Sequence, residues 1–209
     1  MNSKGALYII AAASGTGKTS LAESLVETTD NIKISVSHTT RPIRANEKAG
    51  QHYHFVSIEE FEALIEQNAF LEYANVFGHY YGTSRSLVEK ELVAGIDIVL
   101  DIDWQGARQV REKLESISMF LLPPSNKTLR RRLERRNSDT VEVIEERLDK
   151  ASSEISHYKE FDYVIINDKF EDALSDLQAI VRSQRLQLKN QEVRHKDLLS
   201  ELLNKKDYK

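Results

Sequence analysis

The chain alternates short apolar runs with segments whose apolar residues recur at helical spacing. Four runs rich in β-branched and aromatic residues predict buried strands: "ALYIIA", "GIDIVLDI", "ISMFLL" and "DYVIIN". After the first of them, "GKTSLAESLVET" places Leu21, Leu25 and Val26 on one stripe, as an amphipathic helix does. Strands that alternate with helices predict an α/β fold with a parallel sheet core flanked by helices.

Three further helices are predicted, and two of them carry recognisable start or stop signals. In "SIEEFEALIEQN", Ser57 precedes Glu60 by three residues, which is a capping-box start. The segment "SRSLVEKELVAG" opens at Ser84 and stops at Gly95, which suits the residue after a helix end. A single long helix is predicted from about Phe170 through "ALSDLQAIVRSQRLQLKN", with an increasingly charged end.

Two polar segments interrupt the strand–helix alternation. Residues 35–86 carry short strands with Tyr and Phe around one helix and predict a small mixed α/β lobe, whereas residues 125–158, rich in Arg and Glu, predict a helical lid. The organisation expected is one domain over residues 1–209. Its parts are a core (1–34, 87–124 and 159–190), the lobe (35–86), the lid (125–158) and a charged helical tail (191–209).

Composition narrows the classes of protein. The 209 residues include no cysteine, which excludes disulfides and thiolate metal sites, and the net charge of -4 disfavours a dedicated nucleic-acid or anionic-membrane binder. No stretch reaches the roughly 18 apolar residues of a membrane span, and the N-terminal apolar run is too short for a signal peptide. A cytoplasmic globular protein is expected.

A glycine-rich turn between the first strand and the first helix predicts a phosphate site. Backbone N–H groups in such a turn point at an anion, and the helix dipole adds to their attraction. "AAASGTGKTS" matches the P-loop pattern except that Ala12 stands where the first Gly is usual. Lys18 would reach the outer phosphates and Thr19 would ligate Mg²⁺. A plain turn with a solvated lysine would not explain Gly17-Lys18-Thr19 at a helix start. The predicted ATP-binding residues are Ala13, Ser14, Gly15, Thr16, Gly17, Lys18, Thr19 and Ser20.

The strand "IDIVLDID" ends in two carboxylates, Asp101 and Asp103. In a P-loop NTPase-type core, the acid at this strand end lies near Mg²⁺, and Asp101 is the better candidate. Asp103 could equally be only the N-cap of the following helix.

The segment "SVSHTTRPIRANEKAGQHYHF" sets Arg41 and Arg44 three residues apart, with Tyr53 further on. Two guanidinium groups and a phenol that converge would bind a phosphate dianion. A Thr-Thr-Arg-Pro loop alone is more often a solvated turn, so the whole string decides.

That string, "TTRPIRANEKAGQHYHFV" at residues 39–56, resembles the signature of guanylate kinases, and the resemblance runs from about residue 4 to residue 188. It implies that the lobe binds GMP. The residues that it assigns to the GMP phosphate are Arg41, Arg44, Tyr53 and Tyr81, and those that it assigns to guanine are Ser37, Glu72 and Thr83, with Asp103 as a further contact. Without the flanking residues, Glu72 would be read as a charged residue on the exposed face of a strand.

The run "LRRRLERR" in the lid has two readings, a solvated face or an RNA patch. The resemblance instead implies that Arg132, Arg136 and Arg147 belong to a lid that closes over the transferred phosphate. It gives no role to Arg130, Arg131 and Arg135, which could be solvated or ion-paired. Arg135 and Asn137 stand where many relatives have Gly, which puts local lid flexibility in doubt. Asn167 and Asp168 are implied to contact adenine, although they also suit a strand-exit turn.

The resemblance implies transfer of the γ-phosphoryl group of MgATP to GMP, giving ADP and GDP. It assigns catalysis to Lys18, Arg41, Arg132, Arg136 and Arg147, and the Mg²⁺ that accompanies ATP to Thr19 and Asp101, partly through water. GMP and ATP are the expected partners, with no nucleic acid and no membrane, and a homo-oligomer stays open. The rival readings are a silent, peptide-binding scaffold module and a nucleic-acid-binding P-loop ATPase.

Overall fold

A five-stranded parallel sheet forms the centre of the computed structural model, which describes residues 4–76, 78–134 and 141–204. Its strands are β1 (Leu7–Ala12), β2 (Ile32–Ile34), β7 (Asp97–Asp101), β8 (Ile117–Leu122) and β9 (Tyr163–Ile166), in the order β2-β7-β1-β8-β9. The four predicted core strands are confirmed. Edge strand β2, with the sequence "IKI", has three residues, too few for an apolar pattern to show.

Helices cover both faces of this sheet. On one face lie α1 (Lys18–Glu27) and α7 (Phe170–Arg185), and on the other lie α3 (Arg85–Val93) and α4 (Trp104–Arg111). Leu25 and Leu177 are fully buried against the first face, and Val110 against the second. Each such side chain contributes roughly 1.5–3 kcal/mol through apolar area removed from water.

Helix α3 ends as its glycine predicts. Gly95 has φ 82° and donates its N–H to Leu92, while Ile96 donates to Glu91. These two bonds form a Schellman motif, which satisfies carbonyls left unpaired at a helix end.

A second, smaller sheet forms the lobe. Its strands are β3 (His38–Thr39), β4 (His54–Phe55), β5 (Phe70–Val76) and β6 (His79–Ser84), in the order β4-β3-β6-β5. β3 runs parallel to β4 and antiparallel to β6, so the sheet is mixed, as expected. Helix α2 (Ile58–Glu66) starts with the predicted capping box of Ser57 and Glu60 and packs the buried Phe61 ring on Phe70.

Helices α5 (Asn126–Glu134) and α6 (Val141–Ile155), followed by a 3₁₀ turn (Ser156–Glu160), form the predicted helical segment. Leu129, Leu133 and Ala151 are buried in one cluster with Ala13, so this segment packs on the turn after β1. The predictions made for Arg135, Arg136 and Asn137 lie outside the described residues.

The single long C-terminal helix predicted from Phe170 is wrong. Helix α7 ends at Arg185, and α8 (Leu188–Arg194) and α9 (Lys196–Leu203) follow. Side-chain amides explain the break: Asn190 donates to the Gln184 carbonyl at 2.8 Å and Gln191 to the Arg185 carbonyl at 2.9 Å. These bonds satisfy the carbonyls that a continued helix would have used. Among the described ranges, no helix is long and apolar enough to cross a membrane.

Candidate active site

The turn between β1 and α1 is built as an anion site. Gly15 and Gly17 have φ 84° and 94°, in the left-handed region where a Cβ would be strained. The buried Thr16 hydroxyl ties the turn together by donating to the Ala13 carbonyl at 2.7 Å. Gly17 is the N-cap of α1 and offers no side-chain cap, so this cap leaves the first helical N–H groups for a ligand.

Lys18, Thr19 and Asp101 meet at the carboxyl end of β7. Lys18 Nζ lies 2.8 Å from Asp101 Oδ1 and donates to the Ile102 carbonyl at 2.7 Å. Thr19 Oγ1 donates to Asp101 Oδ2 at 2.9 Å. A hydroxyl and a carboxylate side by side are ligands that Mg²⁺ accepts beside nucleotide phosphates, so this donor set fits the expected MgATP.

Asn167 and Arg132 brace the turn from the opposite side. Asn167 is buried and its Nδ2 donates to the Thr16 carbonyl at 2.7 Å. Arg132 donates to the carbonyls of Asn167 and Thr16, at 2.9 and 3.3 Å. Asn167 Oδ1 is buried with no hydrogen-bond partner in the described part of the chain. Asp168 is exposed directly after β9.

The second predicted phosphate site holds a carboxylate of the chain itself. Arg41 donates to both oxygens of Glu47, at 2.6 and 3.1 Å, and Glu47 also accepts from the Arg44 backbone N–H at 2.8 Å. These hydrogen bonds lower the pKa of Glu47 to about 2. The Arg41 guanidinium lies 5.4 Å from the centre of the Tyr53 ring, which meets Tyr81 edge-on at 5.9 Å. The structure thus brings Arg41, Tyr53 and Tyr81 together, with the Arg44 side chain at the surface.

Glu72 is buried at 6% exposure, so the alternative of an exposed strand residue is wrong. Its Oε1 accepts a hydrogen bond from Thr83, and a Cβ on Gly106 would lie 3.2 Å from its Oε2. Burial, with a smaller contribution from the nearby Asp103 charge, raises the pKa of Glu72 to about 7. Burial removes most of the hydration of this carboxylate, so hydrogen-bond donors such as those of a ligand would stabilise its ionised form.

Asp103 is the N-cap of α4, with Oδ1 accepting from the Gly106 N–H at 2.8 Å. This was the structural alternative for Asp103, and it is confirmed. The capping bond leaves a contact between Asp103 and guanine as a prediction.

One cleft of about 300 Å³ joins the two halves of the site. Its walls include Thr19 and Asp101 from the core and Ser37, Tyr53 and Thr83 from the lobe. Because the predicted magnesium ligands Thr19 and Asp101 share this cleft with the predicted guanine contacts Ser37 and Thr83, a nucleotide bound by the lobe would face the turn between β1 and α1. Arg147 lies half-buried on α6.

Sequence reasoning missed two carboxylates at the predicted phosphate sites. Glu47 lies inside the signature string itself, so its spacing from Arg41 and Arg44 was a usable signal. Glu154 on α6 accepts from the Ser14 N–H at 3.1 Å, across 140 residues of sequence, and no local pattern marks it.

Comparisons with known proteins agree with this geometry. The family model described as Guanylate kinase matches residues 4–184. A guanylate kinase of Vibrio parahaemolyticus serotype O3:K6 (strain RIMD 2210633) is 55% identical over 203 residues, covering 96% of this chain and 98% of the relative. One of Shewanella sp. (strain MR-7) is 54% identical over 205 residues, covering 97% and 99%.

The fold agrees as well. The crystal structure of guanylate kinase from Anaplasma phagocytophilum superposes with a TM-score of 0.72 at 35% identity and covers 90% of each chain. With a family model over most of the sequence and relatives above 50% identity over nearly the whole of it, the chain belongs to the guanylate kinase family.

Proposed function

We propose that the protein transfers the γ-phosphoryl group of MgATP to GMP, giving ADP and GDP. The observation that carries the proposal is the shared cleft: Thr19 and Asp101 lie in its core wall, and Thr83, which is bonded to the buried Glu72, lies in its lobe wall. The proposal places the reaction in the cytoplasm, where both nucleotides are available.

On the donor side, the ATP phosphates would take the N–H groups of Gly15 to Thr19. Lys18 would exchange part of its contact with Asp101 for the outer phosphates, and Glu154 would leave the Ser14 N–H. Thr19 and, partly through water, Asp101 would hold Mg²⁺, which would supply charge neutralisation on the phosphates. Asn167 Oδ1 is an unpaired acceptor suited to the adenine amino group.

On the acceptor side, the GMP phosphate would replace Glu47 on Arg41, with Arg44, Tyr53 and Tyr81 completing the grip. The Glu72 carboxylate would accept from guanine N1–H and the exocyclic amino group, with Ser37, Thr83 and Asp103 as further contacts. Adenine offers neither of the two donors at that place. Guanine selectivity therefore depends on the ionised form of Glu72.

Catalysis in this proposal is positioning and charge stabilisation. The acceptor is already a phosphate oxygen, so no general base is needed. The charge on the transferred group would be stabilised by five cationic side chains, those of Lys18, Arg41, Arg132, Arg136 and Arg147. Closure of lobe and lid would exclude water that could hydrolyse ATP.

Two rival functions fit the described contacts less well. A catalytically inactive scaffold module would not require Lys18 and Thr19 to contact Asp101, nor would it require a buried carboxylate at Glu72. An RNA patch needs arginines that are open to phosphates, but Arg130 pairs with Glu145 at 2.6 Å and Arg132 is bonded to the phosphate turn.

The test is an assay with MgATP and a panel of nucleoside monophosphates, scoring diphosphate formation. We expect GMP to be the preferred acceptor. Lys18→Met should lower kcat by at least ~10²-fold in a folded protein, because it removes one preorganised donor to the phosphates. Near-normal kcat in that variant, or no diphosphate formed from GMP by the unmodified protein, would contradict the proposal.

A further inference from the structure

Helix α4 turns one face toward strand β5 of the lobe. One stripe along this face consists of residues three or four apart: the N-cap Asp103, then Gly106 and Gln109 on the helix, and Lys113 just beyond its end. Gly106, Gln109 and Lys113 each approach the part of β5 that carries Glu72.

Lys113 is hydrogen-bonded to β5 at the place where the pairing of β5 with β6 is irregular. The pairing of β5 with β6 is regular from Glu72 onward but shifts in register between Phe70 and Glu72. Such an irregularity locally disrupts the ladder and re-aims side chains. Lys113 Nζ donates to the Phe70 carbonyl at 3.0 Å and to the Leu71 carbonyl at 2.9 Å, so one ammonium group satisfies both acceptors just before Glu72.

Gln109 is hydrogen-bonded to the backbone of Tyr73, the residue after Glu72. Its Oε1 accepts from the Tyr73 N–H and its Nε2 donates to the Tyr73 carbonyl, both at 3.1 Å. β5 is an edge strand of its sheet, so this amide takes the two backbone groups that a neighbouring strand would otherwise pair.

Glu72 itself lies between these two attachments. Gly106 allows the helix to approach its Oε2 closely, and Thr83 bonds its Oε1 from β6. The Thr83 hydroxyl therefore fixes one oxygen of the carboxylate, and the backbone that carries Glu72 is fixed from α4.

We propose that Lys113 and Gln109 are positioning residues for guanine selectivity, because they fix the backbone on either side of Glu72 and so aim its carboxylate at the base. The inference rests on the proposed function of Glu72. Each side chain contacts the backbone next to Glu72, and neither is among those that line the cleft, so both would act on the base through Glu72. A merely structural attachment of lobe to core would instead affect all acceptor nucleotides alike.

The first experiment measures kcat and KM for GMP and AMP at saturating MgATP in four proteins: the unmodified chain, Lys113→Met, Gln109→Leu and Lys189→Met. For Lys113→Met and Gln109→Leu we expect KM for GMP to rise roughly 5- to 30-fold, with kcat within about 3-fold and the GMP/AMP ratio of kcat/KM reduced in proportion. Lys113→Arg keeps donors on a long stem and should restore most of the loss. Lys189→Met is the control, since it removes an exposed lysine whose described partner is Glu115.

The second experiment is a double-mutant cycle with Glu72→Gln. If Lys113 acts through Glu72, Lys113→Met should change kcat/KM for GMP far less in the Glu72→Gln background than in the unmodified one. Equal losses in both backgrounds, or equal losses for GMP and AMP, would overturn the inference. If Lys113→Met lacks a cooperative thermal transition, Gln109→Leu carries the same cycle. An unmodified protein that does not phosphorylate GMP would instead overturn the proposed function.

Discussion

At the scale of single residues, Glu72 has the clearest consequences, because its carboxylate is buried with few polar contacts. Glu72→Gln keeps the shape but turns an amide donor toward the guanine donors. Each charge-assisted bond is worth roughly 1.5–3 kcal/mol, so kcat/KM for GMP should fall by about 10- to 10³-fold and discrimination against AMP should narrow. Steady-state kinetics with both nucleotides measure this, and an unchanged GMP/AMP ratio would show that another group reads the base.

The raised pKa of Glu72 also predicts a pH dependence of stability. Because the pKa rises from its usual 4.5 to about 7 on folding, the native state binds more protons than the unfolded state between these values. The contribution of Glu72 to stability is therefore greatest below pH 4.5 and is lost as pH rises toward 7. Burial and the Asp103 carboxylate raise this pKa, while the Thr83 hydroxyl and Lys113 oppose them.

Urea denaturation of the unmodified protein and Glu72→Gln, from pH 4.5 to 8, measures that contribution. The variant should gain stability relative to the unmodified protein as pH rises, by up to about 3 kcal/mol. Glu112→Gln, at an exposed position beyond α4, is the control and should show no such trend. A pH-independent difference between Glu72→Gln and the unmodified protein would mean that Glu72 stays ionised in the folded chain.

At the scale of elements, the end of α3 depends on one residue conformation. Gly95 at φ 82° closes the Schellman motif, and a side chain in that region costs roughly 1–2 kcal/mol. Gly95→Ala should therefore lower the free energy of unfolding by about that amount, as measured by urea denaturation. Gly50→Ala, at φ 76° with no neighbour within 4 Å of the added Cβ, is the matched control in an exposed loop. Gly50→Ala should lower the free energy of unfolding by a similar amount. Gly95→Asn should lower it less than Gly95→Ala, because Asn adopts the left-handed region more readily than Ala. A larger loss for Gly95→Asn than for Gly95→Ala would contradict the argument.

At the level of the full fold, two polar substructures flank the cleft, and both predicted phosphate sites hold carboxylates of the chain. Glu47 accepts hydrogen bonds from the Arg41 guanidinium, and Glu154 accepts one from the Ser14 N–H. Bound nucleotides would displace both carboxylates and draw lobe and lid toward the core. Exchange of amide hydrogens in β5, β6, α5 and α6 should therefore slow when GMP and a non-hydrolysable MgATP analogue are both present. Exchange in β1 and β8 is the internal reference, and unchanged rates in both substructures at saturation would count against closure.

The features of this protein that depend on local pattern could be predicted from the amino-acid sequence. The strands of the core, the capping box at Ser57 and the glycine stop at Gly95 each follow from periodicity or from one backbone conformation. The phosphate turn is equally local, since Gly15, Gly17 and Lys18 lie within four residues. The signature string at residues 39–56 likewise placed Arg41 and Tyr53 in one site, because its residues fold as one short segment.

Which of these groups meet depends instead on contacts between distant segments of the folded chain. Asn167 reaches the Thr16 carbonyl across 151 residues, and the burial of Glu72 depends on α4, a core helix that is separate from the lobe. The end of α7 depends on amides of Asn190 and Gln191 that fold back on it, so the helical pattern of the sequence alone predicted a longer helix. Such contacts join segments far apart in sequence or compete with a helix that propensity allows, and their energies are set by packing, which no local pattern encodes.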